Sequence, residues 1–324
     1  MTTRIETLWE AEARHAATLP IEAGAFRLTR LDEKQVHDIY AGLDDGLHAI
    51  LGLGVANRPP AIVLESGAFD YFRRQRADGT WLLVLRLKRR GLESVFGRLC
   101  QDLADSASLV KAEDAVVALF VERLRLWERL FSGSDDGLLP KHKIRGLVGE
   151  LLILERLLAA RPDSVGELVD AWRGPLSSDQ DFCLASRSIE VKTINPGARS
   201  VSISSLRQLD APVPLTLTVI TLGASVADAA DAVSLNSLVD RLEARIATEP
   251  IALTTFRERL LAAGYVDQPR YGEDWFVLVR DDSFAVTAGF PRLVPSDVVP
   301  AITGATYELE IAALGGYRVE FQTA

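Results

Sequence analysis

Ser188-Ile189-Glu190-Val191-Lys192 alternates polar and apolar side chains with the period of a β-strand, and this run constrains the chain more than any other. Successive strand side chains point to opposite faces, so Glu190 and Lys192 share one face while Ile189 and Val191 share the other. Just upstream, Asp181-Phe182-Cys183-Leu184 alternates in the same way. Ala185-Ser186-Arg187-Ser188 lies between and reads as a short hairpin loop. In that register Asp181 stands opposite Lys192 and Cys183 opposite Glu190, because cross-strand partners lie on one face. Two carboxylates and a lysine then converge above an apolar face of Phe182, Leu184, Ile189 and Val191. Asp179 shares the parity of Asp181, but the clean alternation begins at Asp181, which is preferred. An acid pair can hold a hard divalent cation through oxygen ligands. A nearby lysine can orient a water or stabilise developing negative charge, and the set suits metal-assisted phosphodiester hydrolysis.

The flanking segments fit a sheet packed on a helix. From about Lys143 to Ala160, Ile144, Leu147, Leu151, Leu154 and Leu158 recur at helical spacing and predict an amphipathic helix. Gly146 and Gly149 interrupt it, each costing up to about 1 kcal/mol relative to alanine, which points to close approach of another backbone. Glu150 follows at the border of the apolar stripe. Beyond the hairpin, Val201–Ser204, Ser205–Leu209 and the apolar run Leu215–Leu222 read as strand, short helix, strand. Ser204 or Ser205 is placed to cap that helix.

These features resemble the PD-(D/E)XK nuclease superfamily. Glu190-Val191-Lys192 matches the (D/E)XK half of its motif and Asp181 the aspartate of the first half, with Gln180 where the motif has its proline. The resemblance implies a mixed α/β (α+β) fold with a restriction-endonuclease-like core in αβββαβ order. Glu150 matches a glutamate that many members carry on the helix before the catalytic hairpin, where it can complete the metal shell. Gln208 matches a glutamine on the helix after the third strand. Gly146–Leu151, Ala171–Pro175, Asp181-Phe182, Glu190–Thr193, Ile203–Leu209 and Phe290–Leu293 occur in sequence and together look like a bacterial family of PD-(D/E)XK-motif proteins. Members are often encoded near defence or mobile-element helicases and ATPases. The implied activity is a metal-dependent DNA endonuclease in restriction or defence. Asp181, Glu190, Lys192, Glu150 and Gln208 form its catalytic set, and Mg²⁺ or Mn²⁺ sits on Asp181, Glu190, Glu150 and the Val191 carbonyl. A helicase or ATPase partner and a homodimer, since a double-strand cut needs two sites, are further expectations. The alternative is a non-catalytic DNA-binding or assembly subunit that retains the scaffold.

Charge narrows the nucleic-acid reading. The net charge of −9 argues against a protein that coats nucleic acid non-specifically, but local basic clusters can still carry phosphate contacts. Three occur: Arg73, Arg74 and Arg76; Arg86, Lys88, Arg89 and Arg90; and Lys141, His142, Lys143 and Arg145. Lys141, Lys143 and Arg145 lie just before the Glu150 helix and are the best placed to meet a phosphate. Arg187 and Arg199 flank the hairpin strand and join them as candidates. There is no apolar run long enough to span a membrane, no GxxxxGK[ST] loop and no zinc-like Cys/His spacing, and the N-terminus lacks a signal peptide's pattern. Cys100 and Cys183 do not make a disulfide framework, which points to a reducing cytoplasm. Ser132–Gly137 is a turn-rich break. The expected organisation is an N-terminal α+β region over 1–134, a nuclease-like core over 135–224 and a C-terminal α+β region over 225–324. Strands are predicted at 47–55, 61–65 and 81–88, with helices at 92–104 and 112–131. Further helices are predicted at 235–247 and 253–263, and strands at 275–279, 284–286 and 307–311.

Overall fold

A computed structural model of the protein describes residues 4–63, 67–131 and 138–323, and it divides into two compact units between Leu138 and Leu139. The turn-rich Ser132–Gly137 break lies outside the described residues.

The first unit opens with helix α1 (Arg4–Ala16) and continues through β1 (Phe26–Arg30), β2 (Asp38–Asp44), β3 (Ala49–Val55), β4 (Phe69–Gln75) and β5 (Trp81–Leu87). Helices α2 (Glu93–Ala107) and α3 (Glu113–Phe131) follow. The strands form one antiparallel sheet in the order β1-β2-β3-β5-β4. Trp9 of α1 stacks on Phe96 of α2 at 5.4 Å, and Phe96 meets Phe69 of β4 at 6.1 Å, so α1 and α2 cover one face. Ile50, Leu82 and Val84 form a separate buried cluster on the other. Sequence patterning found β3, β5, α2 and α3 but not α1, β1, β2 or β4. Residues 61–63 of the strand expected at 61–65 are irregular, and the rest of it lies outside the described residues.

The second unit carries the hairpin. Helices α4 (Lys141–Ala160) and α5 (Val165–Ala171) precede β6 (Phe182–Cys183), β7 (Ser188–Ile194), β8 (Ser200–Ile203) and β9 (Leu215–Ser225). Then come β10 (Val233–Ser234), α6 (Leu235–Ile246), α7 (Pro250–Ala262), β11 (Trp275–Ala285), β12 (Tyr307–Glu310) and β13 (Arg318–Val319). The main sheet runs β10-β11-β9-β7-β6, with β13 also on β11. β7 and β9 are parallel, as a strand pair joined by a crossover must be, and the other pairs are antiparallel. β9 is buried almost along its whole length, as expected for a central strand carrying an apolar run.

Two expectations change here. Residues 225–324 are not a separate region: β11 pairs along β9, and α6 packs beside α4. A cut at 224 would leave the outer edge of β9 with unpaired N–H and C=O groups, which is why the chain returns to cover it. The runs at 275–279 and 284–286 are one strand, bent by a register shift between Leu278 and Arg280. β8 also leaves the main sheet and pairs with β12 from the C-terminal end.

Candidate active site

The hairpin that carries Glu190 closes one step tighter than the alternation alone suggests. Phe182 pairs with Ile189 and Cys183 with Ser188, and Leu184 N–H donates to the Arg187 carbonyl, leaving Ala185-Ser186 as the turn. Continuing that register sets Asp181 level with Glu190, two residues from the expected opposition to Lys192. The parity of the faces is unchanged by an even shift. Phe182, Leu184, Ile189 and Val191 are buried on one side, and Asp181, Glu190 and Lys192 share the other.

Each member of that set is fixed by a specific contact. Val191 N–H donates to Asp181 Oδ2 at 2.8 Å. Lys192 Nζ lies 2.8 Å from Glu190 Oε1 and donates to Gln208 Oε1 at 3.0 Å. Glu190 is only 1% exposed, and its Oε2 has no hydrogen-bond partner among the described residues. Glu150, on α4, accepts a hydrogen bond from Trp172 Nε1 at 2.8 Å. Asp179, the other aspartate of the same parity, is exposed and stands outside the set.

Gly174 explains how Glu150 and Asp181 come together. A Cβ there would fall 2.7 Å from Asp181 Oδ1 and 2.8 Å from Glu150 Oε2. The two oxygens can therefore be no farther apart than the sum of those distances, and no other residue type fits between them. The Arg173 and Gly174 N–H groups donate to the Asp181 carbonyl at 2.7 and 3.0 Å, which ties this turn to the start of the hairpin. On α4, Gly149 does the same for the helix: a Cβ would meet Thr193 Cγ2 at 2.2 Å, so glycine lets α4 lie against β7. Gly146 has open space where its Cβ would be and plays no such part.

The electrostatics follow from burial. Desolvation pushes the Glu190 carboxyl up to about 8, aided by the neighbouring Asp181 charge and opposed by Lys192. Burial, then the Asp181 and Glu190 charges, hold Glu150 well above the usual carboxylate range. Burial also raises Asp181, against the Val191 N–H and Lys192, which pull the other way. Three carboxylates, Glu190 buried and Glu150 and Asp181 half-buried, crowd beside one ammonium and are short of positive charge. Among the described residues, no three His, Cys, Asp or Glu side chains form a ready-made metal cage, and the Lys192 contact occupies one Glu190 oxygen.

Gln208 sits on a hydrogen-bonded turn rather than the expected short helix. Ser205 Oγ accepts from the N–H groups of Arg207 and Gln208, so Ser205 and not Ser204 does the capping. Gln208 Oε1 accepts from Ser204 N–H as well as from Lys192. Two residues invisible to patterning hold this turn in place. Gln180, in the motif's proline position, is buried, and its Nε2 donates to the Arg207 and Asp210 carbonyls at 2.9 and 3.2 Å. Arg292, from the Phe290-Pro291-Arg292-Leu293 segment, donates to the Leu209 carbonyl. The one signal that could have drawn attention to Gln180 was a polar side chain where the motif has proline.

The phosphate candidates divide. Lys141 and Lys143 are exposed in the first turn of α4, and Lys143 lies seven residues before Glu150 on one helix face, about 10 Å along the axis. Arg199 is exposed between β7 and β8. Arg145 is a correction: its guanidinium donates to the carbonyls of Ile194 and Leu222 and lies 5.3 Å from the Phe276 ring. It closes the ends of β7 and β9 against α4. Arg187 is a second correction, because it follows the parity of Ile189 and is buried, with Nη1 3.4 Å from Gln322 Oε1.

A helix laid on a mixed sheet, with a hairpin presenting Asp, Glu and Lys on one face, defines a nuclease-like protein of the PD-(D/E)XK type. Residues 5–312 match the family described as "Putative PD-(D/E)XK family member, (DUF4420)", and the chain belongs to that family. No curated protein and no solved structure matches it. No helix among the described residues is long and apolar enough to cross a membrane.

Proposed function

We propose that the protein is a metal-dependent endonuclease that hydrolyses DNA phosphodiester bonds. The observation that carries this reading is the convergence of Glu150, Asp181 and Glu190 with Lys192 around the hairpin. A structural role does not account for it, since three neighbouring carboxylates with raised proton affinity, Glu190 buried and Glu150 and Asp181 half-buried, destabilise a fold. The chemistry of the donors suits a hard cation such as Mg²⁺ or Mn²⁺: they offer oxygen only, and Glu190 Oε2 has no partner among the described residues, although the carboxylates do not form a closed cage and Lys192 holds the other Glu190 oxygen. Asp181, Glu190 and Glu150 would hold the ion. When bound, a divalent cation polarises a phosphoryl oxygen and offsets the charge that accumulates during cleavage. Lys192, steadied by Gln208, keeps its ammonium beside the carboxylates and orients the attacking water. Gln180 and Arg292 hold the Gln208 turn and act through it. Lys141, Lys143 and Arg199 remain the cations available to DNA phosphates. A defence role and a helicase or ATPase partner, drawn from the resemblance alone, and a homodimer, drawn from the need of a double-strand cut for two sites, are parts of the same proposal.

One observation favours a second reading, a DNA-binding or assembly subunit without activity. The Lys192–Glu190 contact occupies one carboxyl oxygen and closes part of the ligand set from within. Incubating the protein with supercoiled, linear and single-stranded DNA in Mg²⁺ or Mn²⁺, beside Lys192→Ala and a chelator control, separates the two. Cleavage lost in both controls supports the enzyme. DNA binding with no cleavage under any of these conditions supports the subunit.

A further inference from the structure

The first unit carries an open sheet face that the proposed activity does not use. Strand alternation sets Phe26 and Leu28 of β1, Tyr40 of β2 and Phe72 of β4 on it, packed over the buried Ile50, Leu82 and Val84, and among the described residues no helix side chain joins that cluster. Gly42, Gly52 and Gly54 fall on the same face, and Leu82 and Arg76 side chains lie over Gly52 and Gly54. A solvent-facing antiparallel face ordinarily carries small polar residues. Here arginines complete the layer. Arg74 lies over the Phe26 ring at 4.6 Å, Arg76 over Tyr40 at 5.0 Å and Arg86 over Phe72 at 5.3 Å.

These arginines are not equivalent. Arg86 is ion-paired with Asp70 at 2.9 Å and faces Asp44 at 3.5 Å, so its charge is used within the fold. Arg74 and Arg76 have no ion pair among the described residues; Arg74 is exposed, and its Nη1 donates to the Gly24 carbonyl. The β4–β5 hairpin region, residues 69–90, carries seven Arg and Lys against Asp70 and Asp78, within a chain of net charge −9. Of these seven, alternation puts Arg74, Arg76 and Arg86 on this face and Lys88 reaches Asp70 on it; Asp70 pairs with Arg86 and Lys88, which leaves Arg74 and Arg76 as the charges beside the flat groups. A guanidinium laid on a ring keeps its outer face open to another planar group and its N–H edge open to an anion.

We propose that this face binds single-stranded nucleic acid, with bases stacked on Arg74, Arg76 and the rings beneath them and phosphates on the guanidinium edges. Every base has a π-face and every linkage a charge, which is the combination this surface matches. A duplex keeps its bases stacked internally and could use only the charge. An acidic peptide has the charge without the row of planar groups. The proposal does not rest on the catalytic reading, since none of its residues belongs to the 139–324 unit.

Fluorescence anisotropy tests it, using the full chain with Asp181→Asn in chelator, so that cleavage cannot intervene. The probes are labelled oligothymidine of about 20 nucleotides, spanning one or two sheet-sized sites, and a duplex of equal length. Oligothymidine should bind at least tenfold tighter than the duplex, and Arg74→Ala with Arg76→Ala should weaken it at least tenfold. Arg74→Lys with Arg76→Lys keeps the charge and removes the planar groups; it should weaken oligothymidine severalfold and leave the duplex unchanged. Should the alanine pair fail to fold, the lysine pair decides. Equal binding of single strand and duplex, equal competition by polyglutamate, or affinity unchanged in either pair overturns the proposal. Single-strand affinity retained without any nuclease activity would count against the catalytic reading alone.

Discussion

Replacing Glu190 by glutamine should stabilise the cation-free protein, by an amount that grows with pH. In the folded state burial raises this carboxyl from its ordinary 4.5 to about 8. Between those values the unfolded chain has released its proton and the folded chain still holds it. The native state then binds more protons, so stability falls as pH rises through that window. At 1.36 kcal/mol per unit, the loss attributable to Glu190 is about 1 kcal/mol at pH 5, about 3 at pH 7 and about 4 at pH 8. Glutamine cannot ionise, and its side-chain oxygen can still accept from Lys192, so the substitution removes the titration and keeps the contact. Urea unfolding of both proteins in chelator at pH 5, 6, 7 and 8 reads the difference directly. The glutamine variant should gain on the wild type by a little over 1 kcal/mol per pH unit up to pH 8. A difference that is flat with pH, or a variant less stable than wild type at pH 8, would refute the argument that burial dominates at this site.

The same carboxylates predict cation linkage. Mg²⁺ or Mn²⁺ should raise the melting temperature, more at pH 8 than at pH 6 because the ligands must lose their protons, with about 2.7 kcal/mol expected at a hundredfold excess over Kd. Asp181→Asn should abolish the shift, and a shift that survives it would place the ion elsewhere. Gly149→Ala should cost about 1–3 kcal/mol, since its Cβ would meet Thr193 Cγ2 at 2.2 Å, whereas Gly146→Ala should gain up to about 1 kcal/mol of helix propensity. Equal melting temperatures for the two variants would contradict the assignment of Gly149 as the close contact. Gln180→Ala removes a donor from the Asp210 carbonyl and leaves the Arg207 carbonyl with the Asp210 N–H; it should cost about 1–3 kcal/mol and slow cleavage while cation affinity is kept. Cation binding lost together with cleavage would show that Gln180 does more than hold the turn.

What the sequence determined by itself was local parity. Alternation at 181–184 and 188–192 assigns Asp181, Glu190 and Lys192 to one face whatever the register, and the leucine stripe of α4 puts Glu150 at the border of its buried side. Strand and helix periods are properties of consecutive residues, so they can be read without knowing any partner. The tertiary structure alone decided the rest. It moved the hairpin register by two, because the Leu184–Arg187 bond closes a shorter turn. It brought Glu150 to Asp181 across Gly174, and turned Arg145 onto the carbonyls of Ile194 and Leu222. It sent β8 to β12, and used Gln180 and Arg292 to hold the Gln208 turn. Each of these is a match between a donor and an acceptor, or between a gap and a side chain, far apart in the chain. Such matches are settled when buried polar groups find partners during packing, and no local pattern records them.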